Sequence, residues 1–183
     1  MLSEILIHHP NLRRLVAIWA EARGPEQLPL ASAIDPVSLG AAGLLPSVWV
    51  LRGTCREDYH FCLVGEEIRA NFAENPVGTP LREVLTGEFG ALMFERICRV
   101  FEDHVAHFSQ GPVVGAAGRH YLGTRIMLPM VDDKESGGQT AVLGGFEKSD
   151  EKTRFSLNSD GPLTPTYKLQ REQFFDLEDV QIR

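Results

Sequence analysis

The sequence predicts an α+β fold: a five-stranded antiparallel sheet with flanking helices, one long helix across the sheet, and a further helix at the N-terminus. Three observations carry this expectation. The hydrophobic period switches from three-to-four residues to two and back along the chain. The element order is two strands, short helices, one long helix, then three strands. The connections between those last strands are short, which makes them antiparallel neighbours. Strands and helices segregated in this way, with the helices on one face, give an α+β arrangement.

The elements follow in order. Residues 10–23 read as a helix, with Pro10 suited to the first helical position and Gly24-Pro25 as the stop. Leu12, Leu15, Val16 and Trp19 form its apolar stripe. A free helix of this length is marginal in water, so the stripe should cap the core or mediate self-association, with Trp19 as the anchor. Asp35-Pro36 reads as a cap and a short helix ending near Gly40. Small residues and prolines then lead to Pro46. Residues 47–52 and 59–64 are β-branched and apolar, and the polar turn from Gly53 to Asp58 joins them as a hairpin. A short helix fits residues 66–72, and Thr79-Pro80 caps another. The strongest pattern spans residues 88–108, where Phe89, Leu92, Met93, Ile97, Val100, Phe101, His104, Val105 and Phe108 recur at threes and fours. Gln110-Gly111-Pro112 is expected to end this long helix. Strands are expected at 112–114, 119–131 and 140–147, the last two separated by the acidic turn 132–138. After Lys148 the chain turns to Ser, Asp, Lys and Thr-Pro with scattered aromatics. The organisation expected is a helical extension over 1–44, a core over 45–148 and a C-terminal tail over 149–183.

Composition narrows the function classes. The chain has 183 residues, 43% hydrophobic and 23% charged, with a net charge of −7. A chain of this length buries roughly 70% of its extended surface, enough for one real core. The acidic balance repels phosphate backbones, so no nucleic-acid partner is expected. No apolar run approaches the ~20 residues that span a bilayer, so no membrane partner is expected either. Met1-Leu2-Ser3-Glu4 carries an acid where a secretory signal is basic. Cys55, Cys62 and Cys98 are odd in number and without CxxC spacing, which suits a reducing compartment. These features together point to the cytoplasm.

Candidate chemistry is sparse. His104 and His107 stand three apart in the predicted long helix, which would let both face one side. A metal site there lacks a third ligand at any useful spacing, and buried or interface histidines are the plainer reading. His8 and His9 precede the first helix, while His60 and His120 sit on predicted strands with no assigned role. Nothing gives any cysteine an activating base. G-x-S-x-G, G-x-G-x-x-G and P-loop patterns are absent. Gly115-Ala116-Ala117-Gly118 lacks the helix and lysine of a phosphate loop and reads as a turn. Asp132, Asp133 and Glu135 could gather a cation, but an exposed acidic turn is ordinarily just solvated. Trp19 and Trp49 read as apolar anchors. No catalytic or metal-binding constellation emerges.

A resemblance is carried by His9-Pro10, Leu12, Trp19, Arg23-Gly24, Leu28-Pro29, Ile34-Asp35-Pro36, Leu45-Pro46 and Leu63-Val64-Gly65-Glu66-Glu67-Ile68. Gly78-Thr79, Leu81, Leu128-Pro129-Met130 and Asp132-Asp133 add to it. Over roughly residues 8–148 the sequence resembles a stand-alone bacterial branch of the PAS-domain superfamily, formerly described as a domain of unknown function. His60 and Cys62 stand where that branch tends to have an arginine-bearing strand, and Ala31-Ser32-Ala33 lacks a basic residue. The resemblance implies a non-enzymatic sensory or adaptor protein of bacterial signal transduction, binding a small ligand, a regulatory protein partner or a second copy of itself.

The pocket expected of such a protein lies between long helix and sheet. Ile97, Phe101 and His104 should face Trp49, Phe61 and Met127 across a mainly apolar space, unless side chains fill it. The resemblance leaves the cofactor open. A haem-binding sensor, with His104 or His107 as axial ligand, is one alternative. A small enzyme of lipid-binding-like α+β shape, with His104 beside a carboxylate, is another.

Overall fold

The computed structural model describes residues 2–55, 57–114, 120–133, 140–148 and 171–180. Among the described residues, six strands form one sheet in the order β2-β1-β5-β4-β3-β6. They are β1 (Val48–Gly53), β2 (Tyr59–Val64), β3 (Val105–Val114), β4 (His120–Val131), β5 (Thr140–Lys148) and β6 (Arg171–Asp176). Every pairing is antiparallel. The helices are α1 (Leu2–Leu6), α2 (Pro10–Arg23), α3 (Pro36–Ala41), α4 (Glu66–Arg69), α5 (Leu81–Val84) and α6 (Gly87–Glu102).

The expected five strands are corrected to six. The sixth comes from the C-terminal segment, where residues 171–176 pair with β3 from Gln110↔Arg171 to Val105↔Asp176. Alternation over so few residues is a weak local signal, and the partner strand lies far away in sequence.

The long helix is also corrected. It ends at Glu102, and the chain turns at His104, which holds φ 50°. Histidine is among the side chains that enter this left-handed region more often than most. The Asp103 and His104 amides donate to the Arg99 and Phe101 carbonyls, closing the helix end. Val105 and Phe108 continue the helical spacing by coincidence. In the structure they belong to β3, where alternate residues point to opposite faces and β4 supplies the ladder from His107↔Met127 to Val114↔His120.

Helices cover both faces of the sheet, not one. On the first face, Ala106, Phe108, Ile126, Leu128, Ala141 and Leu143 pack with Leu12, Leu15, Val16 and Trp19 of α2. Trp19 is fully buried, and its indole N–H donates to the Pro129 carbonyl at 2.9 Å. The helix over residues 10–23 therefore builds half of the core. Asp35 caps α3 by accepting from the Val37 and Ser38 amides. On the second face, α5 and α6 lie over Leu51, Tyr59, Phe61, Met127 and Val142.

A cystine links Cys55, in the β1–β2 turn, to Cys98 on α6, with Cα atoms 5.4 Å apart. This overturns the reading of these cysteines as reduced thiols. Pairing depends on distance in space, which spacing along the chain does not reveal.

Candidate functional site

The face beneath α6 has an apolar half and a polar half. In the apolar half, Ile97 and Val100 of α6 meet Leu51, Phe61, Met127 and Val142, each at most 5% exposed. Trp49 and Phe72 pack edge-on against Phe61. Gly144 lets the Trp49 ring lie directly on β5: a Cβ at that position would fall inside the indole. Tyr59 is fully buried, and its hydroxyl pairs with Thr140 Oγ1 at 2.8 Å. Burial pushes that phenol's pKa up, opposed by its hydrogen bond with Thr140. Trp49, Phe61, Ile97 and Met127, expected to line a pocket, pack together in this half.

The polar half lies under the middle of α6, beside β3 and β6. Arg96 is 9% exposed and meets the Glu172 carboxylate, with Nη2 donating to Oε2 at 3.0 Å. His107, only 1% exposed, places Nε2 2.9 Å from Glu172 Oε1. Its Nδ1 is buried without a hydrogen-bond partner among the described residues. A neutral ring carrying its proton on Nε2 accounts for both nitrogens. Burial pushes the His107 pKa down to about 4; Glu172 opposes this, while Arg96 and Arg125 add to it. For Glu172, burial raises the pKa, but the hydrogen bonds from Arg96 and His107 outweigh it and hold the carboxyl below its ordinary range.

Sequence reasoning missed this cluster, although one signal was present. Arg96 falls three residues after Met93 and four before Val100, inside the apolar stripe of α6. A lone arginine on such a stripe calls for a buried acid. The acid itself, Glu172, comes from a segment with no regular period.

The six pocket residues separate in space. Trp49, Phe61, Ile97 and Met127 share the apolar half. Phe101 and His104 instead line an open groove of about 650 Å³ beyond the end of α6, with Arg23, Gln27, Pro29 and Val131. His104 and His107 do not share a helix, as the sequence suggests. His104 lies in a turn with Nδ1 2.9 Å from the Gln27 amide nitrogen, and His107 lies on β3 with Nε2 engaged by Glu172. The two histidines thus sit in different surroundings: His104 lines the groove, and His107 is buried beside Glu172. His104 also has an amide, not a carboxylate, as its hydrogen-bond partner.

In the acidic turn, Asp132 is buried against Arg52 at 3.5 Å, and Asp133 accepts from the Ser32 amide at 3.2 Å. The Ser32 hydroxyl also bonds Asp133, the largest cause holding its carboxyl below the usual range. Glu135 and the Gly115–Gly118 turn lie outside the described residues.

Comparison with known proteins gives one family. The PAS domain family matches residues 7–146. Among solved structures, a fungal LOV domain photoreceptor, described in a pathway integrating blue light and oxidative stress, is 17% identical. The alignment covers 65% of this chain and 94% of that one, with a TM-score of 0.38. No curated protein matches. The family match runs from the N-terminal helices through β1 to β4 and into β5, and on it the chain belongs to the PAS domain family.

Proposed function

We propose that this PAS protein is a non-enzymatic sensory or adaptor protein of bacterial signal transduction that acts through contact with a protein partner. One observation carries the reading: among the described residues, the apolar side chains beneath α6 pack into one buried cluster. Leu51, Tyr59, Phe61, Ile97 and Met127 pack against one another there, and a ligand would have to displace well-packed apolar groups. A PAS core packed in this way is suited to holding surfaces in place for a partner.

A small organic ligand is the second reading, favoured by the groove at Phe101 and His104. Its volume of about 650 Å³ falls in the range of ligand sites, and its lining is mostly apolar with a few polar groups. Native mass spectrometry and the visible spectrum of the purified full chain separate the two. The adaptor reading expects the bare chain mass, or whole multiples of it, and no visible absorbance. A stoichiometric small molecule retained on the chain would overturn it in favour of ligand sensing, and Phe101→Arg should then abolish the retention.

A further inference from the structure

The cystine between Cys55 and Cys98 has a hydrogen-bond donor built against one of its two sulfurs. Tyr59, fully buried, places its hydroxyl 3.6 Å from Cys55 Sγ and 2.8 Å from Thr140 Oγ1. Thr140 donates its one hydroxyl proton to the Gly53 carbonyl at 2.7 Å, so Tyr59 is the donor in either contact. A disulfide sulfur is a weak acceptor, and Thr140 Oγ1 takes the Tyr59 proton while the bond is intact. A thiolate at Cys55 is a strong acceptor, and the same hydroxyl lies within its reach. Burial, joined by the Glu102 carboxylate, raises the Tyr59 pKa and keeps the proton on the phenol.

The two sulfurs are thus unequal. Thiol–disulfide exchange runs faster when the departing sulfur is the better-stabilised thiolate, and a hydrogen bond to the charged form lowers a thiol's pKa. Cys55 has the donor, which makes it the departing sulfur and Cys98 the one attacked. Both cysteines are half-buried, so a small reagent can reach them. The bond ties the β1–β2 turn to the helix that carries Arg96 and Phe101. Cys98 stands in the C-terminal half of α6, between buried Ile97 and Arg99, whose guanidinium packs on Phe174.

We propose that this cystine is a thiol–disulfide exchange site for a low-molecular-weight thiol, with Cys98 attacked, Cys55 leaving as a thiolate onto the Tyr59 hydroxyl, and the end of α6 released from the turn. The incoming thiolate bonds to Cys98 Sγ as the bond between Cys98 and Cys55 breaks, and the electron pair stays on Cys55. A second thiol attacks the sulfur of the first, departs joined to it as a disulfide, and frees Cys98. The two thiols lose two electrons and two protons in all, and the cystine takes them up as two cysteine thiols. Without the tie, the C-terminal end of α6 opens before the interior strands do. This redox input stands apart from the partner-contact reading: a retained small molecule would overturn that reading and leave the exchange chemistry untouched.

Trapping the mixed disulfide tests it. The full chain carries Cys62→Ser, so that the exposed Cys62 takes no part, and is air-oxidised before treatment with reduced glutathione in the absence of denaturant. Acid quenching, alkylation and peptide mapping should find glutathione on Cys98 and the alkyl group on Cys55. Glutathione on Cys55, or on both equally, overturns the proposal, and so does a cystine that resists glutathione until urea unfolds the chain. Tyr59→Phe keeps the ring and removes the hydroxyl, and it should slow reduction about 3- to 10-fold. A merely structural role has the opposite sign, because a loosened core exposes the bond; unchanged or faster reduction therefore overturns the proposal. Should Tyr59→Phe fail to fold, the mapping on the parent chain decides alone. In hydrogen–deuterium exchange, the amides of residues 97–102 should exchange faster in the reduced chain than in the oxidised one, while β4 and β5 keep their protection. Identical protection of α6 in the two states would leave the bond without a conformational effect and overturn the release of the helix.

Discussion

Lowering the pH from 7 to 4 should destabilise this protein by about 3 kcal/mol through His107 alone. The magnitude follows from its surroundings. In the unfolded chain the imidazole titrates near 6.5; in the fold, burial pushes it down to about 4. Between those values the unfolded chain binds a proton that the folded chain refuses. The stabilisation is complete above pH 6.5 and is lost as the pH falls through the window to 4. The charged ring would place a second N–H, on Nδ1, in a buried position with no acceptor among the described residues. His9 has a pKa lowered by burial and adds to the slope with the same sign, so the effect is isolated with His107→Gln, whose amide can still donate to Glu172. Urea denaturation at intervals between pH 7 and pH 4 gives both curves. The wild-type chain should lose more stability than the variant, by an amount approaching that figure at pH 4. Parallel curves for the two proteins would refute the neutral buried imidazole and the reading of the Arg96–His107–Glu172 cluster built on it.

The other predictions concern the two covered faces. Trp19→Ala should cost about 3–5 kcal/mol in urea denaturation, since it empties a fully buried site on the α2 face. Trp19→Phe should cost less, about 1–2 kcal/mol, mainly for the unpartnered Pro129 carbonyl; a Trp19→Ala loss under about 1 kcal/mol would show that α2 is a passive extension. Gly144→Ala should cost about 1–3 kcal/mol by driving a methyl into the Trp49 ring, and Trp49→Leu should relieve part of that in a double-mutant cycle. Independent, additive losses would refute the contact. Cys55 and Cys98 are separated by 43 positions in sequence, and closing such a loop is worth about 4 kcal/mol by the chain-entropy relation. A reductant should therefore lower the melting temperature of the wild-type chain and leave Cys98→Ser unchanged. Equal behaviour of the two would mean that the bond does not form in solution.

Much of the architecture was legible where the signal is local. The stripe of Leu12, Leu15, Val16 and Trp19, bounded by Pro10 and Gly24, marks α2 within the chain itself. The hairpin of β1 and β2 and the span of β4 are read the same way, from period two and the turn between runs. The end of α6 was not legible. Val105 and Phe108 satisfy helical spacing and strand alternation alike over so short a run, and β4 on one side and β6 on the other decide between them. The pocket residues divide: Trp49, Phe61, Ile97 and Met127 share one cluster, while Phe101, near the end of α6, and His104, in the turn after it, line the groove at Val131.

The sequence by itself determined which segments could form helices and strands, the antiparallel α+β class and the family, because propensity, capping and hydrophobic period act over a few residues. Tertiary structure alone decided the rest. It covered the face of the sheet opposite α6 with α2, joined Cys55 to Cys98, added residues 171–176 as a sixth strand and delivered Glu172 to Arg96 and His107. Each of these joins residues distant in the chain, and the free energy that selects them is the burial of apolar surface and the pairing of buried polar groups. Neither exists until the elements have packed.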